Sequence, residues 1–139
     1  MYNSFSISCR NTKNTTMLFN ALIRTHHITS RRKVAVLKKA ADTLNCFALL
    51  RTGGSPGVMY VEGRGDDVEA WVSTVQRLRY KDYQLVARPA PVMGEDSECK
   101  MGENEVGLRE VESVREFGFA MKDRGVLEWW RKGMGYVSR

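Results

Sequence analysis

Between Met17 and Pro91, runs of apolar residues alternate between strand and helix periods, and their order leaves few folds open. Met17 to Ile28 reads as a strand anchored by Leu22, Ile23 and Ile28. Ser30 then suits a helix N-cap, because its hydroxyl can accept from an orphan amide of the first turn. Val34, Leu37, Ala41 and Leu44 follow at helical spacing, and Asn45 is a good residue to end that helix. Cys46 to Arg51 is a short apolar strand. T-G-G-S-P-G packs three glycines and a proline into six residues and must turn. Val58 to Glu62 pairs back as a hairpin. Gly63 and Gly65 open a loop, and Asp66 or Asp67 caps a second helix whose apolar face is Val68, Trp71, Val72, Val75 and Leu78. A last strand runs from Tyr83 to Arg88 before Pro89 and Pro91, which cannot donate to a ladder.

The order βαββαβ predicts an α+β, ferredoxin-like sandwich: a four-stranded antiparallel sheet with two helices on one face. A chain of 139 residues supports one such domain. The expected organisation is a disordered tail over 1–15, the core over 16–91, an acidic flexible loop over 92–107, and a helical extension over 108–139 packing on the core. Within that extension Val111, Val114, Gly118 and Met121 recur at helical spacing, and Gly125 breaks the pattern. A terminal helix holding Val126, Leu127, Trp129 and Trp130 follows. The second face of the sheet is then either open or covered by these helices.

No apolar run is long enough to cross a membrane, and the first residues lack a secretory pattern, so an intracellular protein, cytoplasmic or nuclear, with no membrane partner is expected. Cys9, Cys46 and Cys99 are odd in number, widely spaced and expected to be reduced thiols. The net charge of +6 is uneven: residues 1–90 hold 14 Lys+Arg against 6 Asp+Glu, and residues 91–139 hold 8 against 10. A basic field over the first α+β unit attracts polyanions.

Nothing specifies a catalytic set, a cofactor or a metal. His26 and His27 are adjacent, so on a strand they would point to opposite faces. No triad, H-E-x-x-H or nucleophile elbow accompanies them. G-G-S-P-G lacks the G-K-[ST] ending of a phosphate loop and precedes a strand, so no helix N-terminus would hold a phosphate there. The signature of base-stacking RNA-recognition motifs is absent, the third strand being V-M-Y-V-E. E-W-W-R-K-G-M-G-Y offers Trp129, Trp130 and Arg131 as anchors of the type that dominate protein interfaces, or as a cap on the core.

T-H-H-I-T-S-R-R-K, S-P-G-V-M-Y-V-E-G and R-L-R-Y-K, taken in that order between Leu22 and Pro91, resemble a known domain. It is the C-terminal domain shared by pre-mRNA-processing factor three of the spliceosomal U4/U6 particle and by RWD-domain proteins. The resemblance implies a ferredoxin-like fold, no catalysis and RNA as partner, duplex or structured. It makes Arg31, Arg32, Lys33, Arg79 and Lys81 the candidate phosphate contacts and His26, His27 and Tyr80 the candidate base or ribose contacts. Two functions are therefore expected in order: an RNA-binding module, and, as its alternative, a protein-interaction module using the C-terminal aromatic segment or an open sheet face.

Overall fold

A computed structural model describes residues 17–92 and 105–136. The expected tail, most of the acidic loop, Cys9 and Cys99 lie outside the described residues. Five strands and four helices follow in the order β1 (Phe19–Thr25), α1 (Arg31–Thr43), β2 (Phe47–Arg51), β3 (Gly57–Gly63), α2 (Gly65–Arg77), β4 (Gln84–Pro91), β5 (Gly107–Val111), α3 (Val114–Asp123), α4 (Leu127–Met134). The fold is α+β and ferredoxin-like, as the sequence predicts. The sheet, ordered β4-β1-β3-β2-β5, has five strands where four were expected. β5 adds to β2 in parallel, so the sheet is mixed and not purely antiparallel. Its pairing takes Gly107 through Val111 out of the helix that the spacing of Val111 and Val114 suggests.

The strands are apolar at both parities, which is the pattern of a sheet covered on both faces. In β2, Ala48 and Leu50 face one way and Phe47 and Leu49 the other; in β3, Met59 and Val61 oppose Val58 and Tyr60. The first set packs under α1 and α2 with Ala21, Ile23, Val34, Leu37 and Val75, and Trp71 is wholly buried among them. The second set packs under α3 and α4 with Leu22, Phe117, Met121, Trp130 and Met134.

The helix ends follow local chemistry. The Ser30 hydroxyl accepts from the Lys33 amide, and Asn45 takes the left-handed conformation (φ 55°) just past α1. Neither Asp66 nor Asp67 caps α2. Arg64 occupies the cap with no side-chain bond, and the two carboxylates sit in the first turn, where the helix dipole favours them.

The turn between β2 and β3 is tied to the start of α3. Arg51 Nε donates to the Glu112 carbonyl at 3.0 Å and Nη1 to the Pro56 carbonyl at 2.9 Å. Gly53 lies so close to the Glu112 carbonyl that a Cβ there would overlap backbone, which cannot swing aside. Gly53→Ala is therefore expected to cost about 1–3 kcal/mol, the usual range for overpacking. Urea unfolding of the variant checks it, and an unchanged midpoint would mean that this contact is loose.

Candidate functional site

The buried polar strand residues are Thr25, at the end of β1, and Asn20 and Glu62, on the face toward α3 and α4. Alternation along G-V-M-Y-V-E-G puts Tyr60 and Glu62 on that face. The β1–β3 register sets Asn20 opposite Glu62 and Leu22 opposite Tyr60. Asn20 Nδ2 donates to Tyr60 Oη at 3.2 Å, and Tyr60 Oη donates to Glu62 Oε1 at 2.6 Å. Arg124, at the C-terminal cap of α3, completes the network. Its Nε and Nη2 donate to the two Glu62 oxygens at 3.1 and 2.8 Å, and Nη1 donates to Glu105 Oε1 at 2.8 Å. Its guanidinium also lies 3.8 Å from the centroid of the Phe47 ring. Burial alone would depress the Arg124 pKa, but the Glu62 hydrogen bonds and charge, with Glu105, hold it above its ordinary value. Burial, then the Glu62 charge, raises the Tyr60 phenol well above its usual range. The site is a Glu62–Arg124 ion pair with the Tyr60 phenol donating to it. Such a geometry fixes the turn between α3 and α4 on the sheet; it offers no open position for a reacting atom.

The α3–α4 pair so anchored shows one face outward. A capping box starts α3: Ser113 accepts from the Glu116 amide, and the Glu116 carboxylate accepts from the Ser113 amide. Trp130 stacks on Phe117 with centroids 5.6 Å apart, and Tyr136 meets it edge-on at 5.5 Å. Phe119 lies outward, 57% exposed, with the Arg115 guanidinium 5.5 Å from its ring. Trp129 is half-buried, edge-on to Tyr60 at 5.8 Å.

The structure separates residues that the sequence grouped. His26, His27, Lys33, Tyr80 and Lys81 gather where β1 ends. The His26 amide donates to the Lys81 carbonyl, His26 Nδ1 lies 3.5 Å from Asp82, and Lys33 Nζ sits 4.8 Å from the Tyr80 centroid. His26 and His27 do not point apart, because β1 ends at Thr25; their rings are 4.5 Å from centroid to centroid. Arg31 is drawn off to β5, donating both of its terminal nitrogens to Glu110. Its hydrogen bonds hold the Glu110 carboxyl below the usual carboxylate range. Arg32 is exposed on α1. Arg79 stands in the left-handed region just past α2, a helix-ending position. Tyr80 is buried, and burial pushes its phenol up to about 12. Among the C-terminal residues Trp130 is core, Trp129 is half-buried, and Arg131 donates to the Tyr136 carbonyl. Among the described residues no three His, Cys, Asp or Glu side chains converge as a metal site, and no helix is long and apolar enough to cross a membrane.

Sequence reasoning missed Asn20 and Arg124; Phe119 counts there among the terminal aromatics, with Phe117, Trp129 and Trp130, expected to dock on the domain or on a partner. The sole hint of the network was a glutamate in an otherwise apolar strand.

No protein-family model matches the chain, and no curated protein matches it. Solved structures do. BlsA in its photo-activated state is 12% identical, with 81% of this chain and 82% of that one covered and a TM-score of 0.51. A bacterial light-regulated adenylyl cyclase is 10% identical, with 85% of this chain covered and a TM-score of 0.50; this chain spans 35% of its length. The BLUF domain of BlrP1 is 18% identical, with 88% and 80% covered and a TM-score of 0.49. The likenesses to BlsA and to the cyclase show the fold alone. They overturn the resemblance to the splicing-factor and RWD-protein domain, since the structures found to share the fold are BlsA in its photo-activated state and a light-regulated adenylyl cyclase.

The expectation of an RNA-binding module with RNA as partner is corrected with it. The physical reason lies in the side chains. Arg31 is committed to Glu110, Tyr80 is buried beneath Lys33, and α3 and α4 cover the sheet face on which bases would stack. The same cover closes the open sheet face offered as one protein-docking surface.

Proposed function

We propose that this chain is a non-catalytic protein-interaction domain that engages its partner through the outer face of the α3–α4 pair. The observation that carries this reading is the exposed Phe119 beside Arg115, on helices fixed to the sheet by the Glu62–Arg124 pair. An aromatic next to an arginine on a rigid support is the anchor chemistry of interface hot spots. The neighbours support the class of role. The fold recurs as about a third of a light-regulated adenylyl cyclase, that is, as one part of a larger regulated protein. Trp130, the more obvious aromatic, is a support for that surface and not part of it, because it is spent on Phe117 and Tyr136.

A photo-crosslinking residue placed at Phe119, and separately at Val36 on the exposed side of α1, tests the surface. A discrete adduct from position 119 and none from 36 is expected. Purified partner should then bind wild type and lose the Phe119→Asp variant, whose melting temperature should be unchanged. Adducts from both positions alike, or full binding by the folded variant, would overturn the proposal.

A further inference from the structure

A response to visible light needs an extended conjugated chromophore, because tryptophan and tyrosine absorb only in the ultraviolet. A fold shared with a photo-activated protein and a light-regulated cyclase implies a flavin for that task. A buried flavin ring brings several acceptors and an N–H at one edge, each of which needs a protein partner once water is excluded. We infer that this chain cannot seat a flavin and is a light-independent member of the fold.

The layer between the sheet and α1–α2 is already filled. Its strand positions are Ala21, Ile23, Thr25, Ala48, Leu50, Met59 and Val61, and the one hydroxyl among them, Thr25 Oγ1, lies at the end of β1 and donates to the His27 carbonyl. Trp71 lies wholly buried in the layer and spends its single donor, Nε1, on the Leu37 carbonyl at 3.1 Å. Cys46 Sγ donates to the Leu44 carbonyl, and burial pushes its thiol up to about 12. One orphan remains there, the Tyr80 hydroxyl. A single hydroxyl does not satisfy one edge of a flavin.

The layer under α3–α4 is no better suited. Asn20, Tyr60, Glu62 and Arg124 bond one another, so the phenol, both carboxylate oxygens and the guanidinium are already engaged. Its orphans are Trp130 Nε1 and Arg131 Nε, which sit on consecutive helix residues and so do not face a common ligand. Nor do the glycines of the β3–α2 region form a backbone cradle. A Cβ at Gly57 would meet Thr25 and Ile28, at Gly63 the Cys46 sulfur at 3.0 Å, and at Gly65 the Phe19 ring at 3.3 Å. Each space next to these glycines holds a side chain of this protein.

The test uses the full chain, expressed in a host supplied with riboflavin and purified without chromatography steps that strip ligands. Absorbance in the visible range is expected to equal that of buffer. Added riboflavin, FMN and FAD should show no saturable rise in fluorescence polarisation and no shift in melting temperature, and blue illumination should leave the amide hydrogen-exchange pattern unchanged. A yellow protein with stoichiometric flavin, or saturable binding of any of the three with a rise in melting temperature, would overturn the inference. Neither result bears on the α3–α4 docking surface, which the crosslinking experiment tests separately.

Discussion

Arg124→Ala is expected to destabilise the protein by about 3–5 kcal/mol, the range for removing one partner of a buried ion pair. The side chains of Arg124 and Glu62 are 13% and 7% exposed, so solvent screens little of their interaction. Removing the guanidinium leaves Glu62 beneath α3 with only the Tyr60 hydroxyl donating to it. It also releases Glu105 and uncovers one face of Phe47. Glu62→Ala should cost less, because Arg124 keeps Glu105 and Phe47 and can turn toward water. A change of this size lowers the melting temperature by roughly 10–20 °C in a domain of this length. Calorimetry of both single variants and of Glu62→Leu/Arg124→Met measures it. The double variant should recover much of the loss, since an apolar pair of similar volume often matches a buried salt bridge. Equal, small losses in all three would mean that α3 and α4 are held by packing alone, and that the network does not fix their position.

Much of the fold was legible because the strands that carry it are apolar at both parities. F-A-L-L and V-M-Y-V cannot be edge strands with a wet face, and the turn chemistry of T-G-G-S-P-G leaves their pairing little freedom. β5 was not legible. In G-L-R-E-V the apolar residues are three apart and continue into Val114, so the local pattern imitates a helix. Only pairing with β2, some sixty residues earlier, decides otherwise. The polar network was hidden for the same kind of reason. K-D-R at a helix end reads as solvated surface, and nothing near Arg124 announces a carboxylate 62 residues away in sequence. Trp129 and Trp130 illustrate a different limit. Consecutive helix residues point about 100° apart, so one of the two must lie further from the sheet. Which one depends on the position of Phe117 across the α3–α4 turn. The basic residues misled because charge counts ignore tertiary partners: Arg31 is neutralised by Glu110, which lies 79 residues on.

Trp71→Ala should cost about 3–5 kcal/mol, the range for truncating a buried Trp or Phe. Two effects add at this position. The indole is wholly buried in the α1–α2 layer, so its removal leaves a cavity whose apolar walls do not collapse completely. The Leu37 carbonyl also loses its extra donor from Nε1, although it retains its place in α1. Trp71→Phe separates the two, filling most of the volume while losing the hydrogen bond, and should cost about 1–2 kcal/mol. A cavity of indole shape with apolar walls stays dry and takes up small aromatic molecules. Indole added to the folded Trp71→Ala protein is therefore expected to raise its melting temperature saturably and leave wild type unmoved. That pair of results would show directly that this layer has room for an aromatic ring only when Trp71 is absent. If wild type responds as strongly as the variant, the layer is not closed by Trp71, and its packing would have to be looser than the burial of its side chains indicates.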